Sequence, residues 1–286
     1  MFNEIHIGPF TFYMYGLMTA VGIIAAYLLA DHRAVKKRLE ESKILGLVIW
    51  CCIFGYLGSK LLYLLTILPQ IIQDPSVIGA SLRNGWVIYG GILGGILGGW
   101  LYCRRKKLPS WKYFDIGLEA VALAQGFGRI GCFFAGCCYG VETDSATGIV
   151  FHTSHYAPNG VPLFPTQLMS SVYDFLLCLV LVYYDDHKKK RSGEPTALYL
   201  ILYSVGRFII EFWRGDLERG KVGVLSTSQF IALFVAVIGA VIFVRRRKSP
   251  AEPETVTEDA EGTGAADEHF ADDHSGDTSR ESYRKM

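Results

Sequence analysis

Residues 226–248 read STSQFIALFVAVIGAVIFVRRRK: nineteen residues without a charge, then Arg245-Arg246-Arg247-Lys248. As a helix rising about 1.5 Å per residue, such a run crosses roughly 30 Å of hydrocarbon, and the basic cluster stops it at one headgroup layer. Working back toward the N-terminus, long runs with few charges also occupy 11–30, 44–68, 86–103, 113–140, 166–184 and 196–213, which makes seven candidate spans. The chain therefore reads as an all-α polytopic membrane protein. Its composition agrees, with 51% hydrophobic and only 19% charged residues over 286 positions. A water-soluble enzyme, a disulfide-rich secreted module and a nucleic-acid binder become poor readings. The net charge of +1 averages two unlike regions and says little.

Lys and Arg alternate between the two sides of these spans. Segments 31–43, 104–112, 185–195 and 245–248 hold 18 of them, whereas 1–10, 69–85, 141–165 and 214–225 hold 4. Basic loops favour the cytoplasm, which predicts an outside N-terminus and a cytoplasmic C-terminus. Trp50, Trp86, Trp100, Trp111 and Trp213 fall near span ends, where an amphipathic ring prefers to sit. No basic-then-apolar signal with a cleavage site precedes the first span, which is expected to be retained as an anchor. Residues 249–286 carry 11 acidic against 3 basic residues among Pro, Gly, Ser and Thr. Such a segment buries too little apolar area to offset its ordering entropy, so the expected division is a transmembrane domain, 1–248, and a disordered acidic cytoplasmic tail, 249–286.

Ionisable residues inside a span are costly, and each marks a candidate site. On the predicted topology Lys60, Arg129, Asp174, Arg207 and Glu211, together with Tyr15 and Tyr89, point to one depth in the outer half of the bundle. Three cations against two carboxylates suit a phosphate, and in an outer leaflet that is a phospholipid headgroup. Lys60 is expected to snorkel outward, and Arg207 has Glu211 at i,i+4. Arg129 has no acidic residue within a turn, so the binding role is assigned to it most directly.

Two glycine-rich runs differ in meaning. Gly90-Gly91-Ile92-Leu93-Gly94-Gly95-Ile96-Leu97-Gly98-Gly99 repeats every four residues inside a span, the pattern of close helix contact. Gly128-Arg129-Ile130-Gly131-Cys132-Phe133-Phe134-Ala135-Gly136-Cys137-Cys138-Tyr139-Gly140 suits a segment lining a binding site. The C-x4-C-C spacing of its cysteines lacks the paired C-x2-C of a zinc site, so they read as small wall residues, and no metal or cofactor is assigned. Cys51, Cys52, Cys103 and Cys178 read as packing, and His152 and His155 as solvated loop residues.

Several motifs together resemble the bacterial prolipoprotein diacylglyceryl transferase family over most of 10–245. They are Tyr15-Gly16-Leu17-Met18, Gly128-Arg129-Ile130-Gly131, Pro165-Thr166-Gln167, Arg207-Phe208 with Glu211-Phe212 and Arg214, and Ser226 with Gln229, where Ser228 replaces the usual Gly. The resemblance implies a multi-pass enzyme of the bacterial plasma membrane. It would move the diacylglyceryl group of phosphatidylglycerol to the lipobox cysteine of a preprolipoprotein and release glycerol phosphate. By carry-over, Arg129 and Arg207 would neutralise the lipid phosphate, and Tyr15, Gly131, Gln167 and Glu211 would bind substrate.

The chain departs from the family at the position of its proposed base. Tyr89-Gly90-Gly91 replaces His-Gly-Gly, Cys132 stands for an Asn, Cys137 for a Glu and Phe164 for a His. A phenol with a pKa of about 10 is a poor base, so Tyr89 is assigned a hydrogen-bonding role in catalysis, with Gly90, Gly91, Cys132 and Cys137 kept as substrate-binding positions. Two other readings stay open here: a lipid-binding or lipid-remodelling member without this transfer, and a membrane thiol oxidoreductase using the cysteine run, although no Cys-x-x-Cys is present.

Overall fold

The computed structural model describes residues 4–7, 10–216 and 221–250, so the acidic tail beyond 250 lies outside the described residues. The first expected span begins later than its hydropathy suggested. Phe10–Tyr13 (β2) pairs antiparallel with Glu4–Ile7 (β1), because the aromatic and β-branched run Phe10-Thr11-Phe12-Tyr13 suits a strand, and helix α1 follows as Met14–Lys36. Next come α2 (Ile44–Thr66), the short α3 (Leu68–Gln73) and α4 (Val77–Arg83), α5 (Ile88–Arg105) and α6 (Ser110–Ala135). The chain continues through the small pair β3 (Ile149–Val150) and β4 (Pro162–Leu163) into α7 (Thr166–His187) and α8 (Glu194–Ile210). A 3-10 turn, Glu211–Trp213, extends α8, and the pair β5 (Lys221–Val222) and β6 (Leu225–Ser226) precedes α9 (Thr227–Lys248). Among the described residues six helices are long and apolar enough to cross a membrane, and α4 with α5, bent by 67°, brings the number to seven when that pair counts as one span.

The principal pairings are α2 with α5, α1 with α6, α8 with α9 and α6 with α7. Glycine makes the first of these possible: a Cβ on Gly94 would sit 3.2 Å from the Gly58 Cα, and one on Gly90 2.7 Å from the Leu62 Cβ. Large apolar side chains such as Leu28, Leu57, Leu61, Leu179 and Phe234 point away from the bundle, as a protein solvated by hydrocarbon requires.

Lys60 corrects an expectation. It does not snorkel outward but is buried, 6% exposed, with Nζ donating to the carbonyls of Ser81, Asn84 and Gly85 at 3.1, 3.1 and 2.9 Å. Its ammonium also lies 3.7 Å from the centre of the Trp86 ring. The orphan carbonyls ending α4 attract a cation, and the elbow before α5 turns through Gly85 at φ +80°, with the Tyr63 ring where a side chain would be. Lys60 is thereby removed from the group of cations expected around a phosphate.

A second polar centre lies at the end of the bundle where α1 and α7 finish. Arg33, 1% exposed, pairs with Glu119 of α6 at 2.7 Å and with Asp185 and Asp186 of α7. Lys37 and Lys189 add further pairs to Asp185, and Lys189 also meets Asp115. Asp115 in turn accepts from the backbone N–H groups of Gly193 and Thr196, so a carboxylate from α6 caps the start of α8.

Candidate functional site

The opposite end is organised by the way α6 stops. Gly136 takes the left-handed conformation at φ +72°, with Ser154 and Phe151 packed where a Cβ would go, and the chain leaves the helix five residues before the sequence run suggested. Cys137 and Cys138 then fold back in a loop, and Cys138 has φ +59°, rare for a residue with a side chain. The loop is fastened by the head of α7: Gln167 Nε2 donates to the Cys137 carbonyl and Thr166 Oγ1 to the Cys138 carbonyl, each at 2.9 Å. Further along, Gly140 N–H donates to the Phe164 carbonyl at 3.1 Å, and Gly215 N–H donates to the Tyr139 carbonyl at 3.1 Å. The Pro165-Thr166-Gln167 motif and the Arg214 segment thus hold the cysteine loop from two sides.

Three guanidinium groups gather beside it. Arg129, one turn before Cys132, is half-buried, within electrostatic reach of Tyr203, Cys132, Asp174 and Cys138, and among the described residues it makes no hydrogen bond or ion pair. Arg207 pairs with Glu211 at 2.6 Å and donates through its other terminal nitrogen to Ser228 Oγ at 3.1 Å. Glu211 also accepts from Ser226 Oγ at 2.9 Å, and Ser226 caps α9 in a reciprocal pair with Gln229, which ties the end of α8 to the start of α9. Arg214 is buried and holds Asp216 at 2.9 and 2.7 Å. Burial opposes its charge, but the hydrogen bonds to Asp216 outweigh that, and its pKa moves above the ordinary guanidinium value. In the sequence Arg214 is marked only by its motif; its spacing of seven from Arg207 is the signal for its place in the site.

Tyr15 of α1 packs on Gly131, where an added Cβ would lie 3.3 Å from the Tyr15 ring, and it is within electrostatic reach of Cys132, Cys137, Cys138 and Arg129. Tyr89 sits apart in the first turn of α5, 39% exposed, and makes no hydrogen bond among the described residues. Gly90 and Gly91 face the α2 backbone in the close helix contact. His152 and His155 are exposed on the loop. The sulfurs of Cys132, Cys137 and Cys138, which the sequence spacing did not mark as ligands, lie within 4.8 Å of one another, and all seven cysteines are thiols.

A bundle of membrane-crossing helices with guanidinium groups gathered at one end defines an integral membrane protein fitted for an anionic group. The model of the prolipoprotein diacylglyceryl transferase family matches residues 3–245, and the chain belongs to that family. It is 48% identical to the phosphatidylglycerol–prolipoprotein diacylglyceryl transferase of Clostridium tetani, over 81% of this chain and 92% of that one. It is 46% identical to transferase 2 of that name from Clostridium perfringens, over 85% and 94%, and 30% identical to the Finegoldia magna transferase, over 82% and 91%.

Proposed function

We propose that this protein transfers the diacylglyceryl group of phosphatidylglycerol to the thiol of a lipobox cysteine in a preprolipoprotein, releasing glycerol phosphate. The observation that carries the reading is Arg129, a half-buried guanidinium that makes no hydrogen bond or ion pair among the described residues, set beside Arg207. A planar fork with free donors at membrane depth is matched to a phosphate diester. In the reaction the acceptor sulfur forms a bond to the glycerol methylene while the carbon–oxygen bond to phosphate breaks. Charge grows on the departing phosphate, where fixed cations stabilise the transition state more than the ground state.

In this reading Arg129 and Arg207 hold the phosphate, with Glu211 orienting Arg207 and Tyr15 and Gly131 forming the wall toward α1. Gln167 and Cys137 position the loop through their shared hydrogen bond. Tyr89, Gly90, Gly91 and Cys132 are assigned to the approach of substrate. The protein crosses the bacterial plasma membrane seven times with its N-terminus outside and its C-terminus in the cytoplasm, which the Lys and Arg asymmetry supports. Residues 1–248 carry the activity, and the acidic residues 249–286 are not required for it.

The test is incubation of the purified full chain with phosphatidylglycerol and a lipobox peptide, read by mass spectrometry. A diacylglyceryl increase on the cysteine, abolished in Arg129→Ala, is expected. A folded, lipid-loaded protein that modifies no peptide would establish instead a lipid-binding member without the transfer. For orientation, a reporter inserted after Gly160 should be reached from outside the cell, and a cytoplasmic signal there would reverse the assignment.

A further inference from the structure

We infer that Cys132, Cys137 and Cys138 hold a zinc-type divalent ion whose open fourth position takes the sulfur of the acceptor cysteine. The inference rests on the transferase reading above and supplies the one component that reading lacks, a means of making the acceptor a thiolate. Tyr89 is half-exposed and makes no hydrogen bond among the described residues, and a phenol does not deprotonate a thiol efficiently near neutral pH. Metal coordination does so outright.

The geometry is close to that of a bound site. Sulfurs at about 2.3 Å from a tetrahedral zinc lie about 3.8 Å apart, and these three are already within 4.8 Å of one another. They converge because α6 ends at Gly136, which takes φ +72° freely, and the next turn holds Cys138 at φ +59°, a conformation costly for a residue with a side chain, with Thr166 and Gln167 bonded to the carbonyls behind them. Such conformations persist where the surroundings over-determine them, and they concentrate at functional sites. Three protein ligands and one vacant position is the arrangement of a catalytic zinc, whereas a structural zinc is closed by four. Three thiolates around a dication leave a net negative charge, and Arg129 and Arg214 both lie within electrostatic reach of Cys138 to balance it.

The step balances without redox change. The acceptor thiol releases its proton to water as the sulfur binds the ion, and a sulfur lone pair then forms the carbon–sulfur bond. The carbon–oxygen pair leaves on the phosphate oxygen, which Arg129 and Arg207 receive. The thioether product is a weaker ligand and dissociates.

Cobalt(II) provides a readout independent of activity. Reduced, metal-stripped full chain titrated with cobalt(II) alone should develop sulfur-to-cobalt charge-transfer absorption at stoichiometric metal. A lipobox peptide should intensify it, and the same peptide with serine for its cysteine should not. The single variants Cys132→Ser, Cys137→Ser and Cys138→Ser should each weaken the absorption, with intact folding checked by thermal unfolding. Zinc(II) should restore transfer to the stripped protein. Absence of thiolate absorption in the wild-type chain, or full transfer by stripped protein in the presence of a chelator, would overturn the proposal; in the second case the transferase reading stands. If cobalt and the peptide sulfur bind but no lipid is transferred, the metal site stands and the transferase reading falls.

Discussion

Arg129 and Arg207 are the same residue type under different local obligations. Arg207 divides its guanidinium between Glu211 and Ser228, so it joins α8 to α9 while presenting charge, whereas Arg129 makes no comparable bond among the described residues. Lysine at either position keeps the charge and loses the fork. Arg129→Lys is therefore expected to unfold near the wild-type temperature while its transfer rate falls at least tenfold, the equivalent of about 1.4 kcal/mol. Arg207→Lys should lose rate similarly and also unfold earlier, by an amount corresponding to roughly 1–3 kcal/mol, because the single ammonium cannot serve Glu211 and Ser228 in the same geometry. Rates from the lipobox peptide assay and thermal unfolding in detergent check both statements. Equal stability of the two variants would show that the link between α8 and α9 does not depend on Arg207.

At the level of elements, the elbow between α4 and α5 depends on one side chain from a third helix. Without the Lys60 ammonium, the carbonyls of Ser81, Asn84 and Gly85 lose their shared donor. Lys60→Met keeps the apolar stem and removes the ammonium, both as donor and as the charge over Trp86, so the loss is expected to be local, about 1–3 kcal/mol. Hydrogen exchange should accelerate across 68–87 and remain slow in α6 and α7. A uniform acceleration over the whole bundle would mean that Lys60 supports global packing and not the elbow. This arrangement was hidden in the sequence because a lysine past the middle of an apolar span has two outlets, along its own helix to the headgroups or sideways to a helix end. Only the position of α4 selects between them.

Across the whole molecule the two polar ends divide the work. The end holding Arg33 is built from opposite charges in contact, whereas Arg129 at the other end makes no ion pair among the described residues. Removing Arg33 takes the paired cation from Glu119, whose carboxylate is buried in the bundle, while Asp185 keeps Lys37 and Lys189; breaking such a buried pair costs about 3–5 kcal/mol. Arg33→Ala is expected to lower the unfolding temperature sharply while the protein that remains folded still binds phosphatidylglycerol, measured by lipid retained per folded chain. Loss of lipid binding at unchanged stability would place Arg33 in the reaction. The sequence offered a signal for this centre that hydropathy alone passes over: Asp115 and Glu119 are four residues apart and so share one face of α6.

Local properties of the chain determined which segments form membrane helices, since the length of an uncharged run and the positions of Lys and Arg need no partner to be read. The same holds for the arginine, tyrosine and Pro-Thr-Gln motifs that mark the family. Tertiary structure alone decided what those residues touch. Arg33 meets Glu119 across 86 positions and Asp185 across 152, and Gln167 reaches the Cys137 carbonyl across 30. The thiols of Cys132, Cys137 and Cys138 illustrate the difference, for their spacing on a continuous helix would scatter them around its face. They converge because α6 ends at Gly136 and the head of α7 holds the following loop against it, and a helix end secured by a distant segment leaves no periodic trace in the sequence.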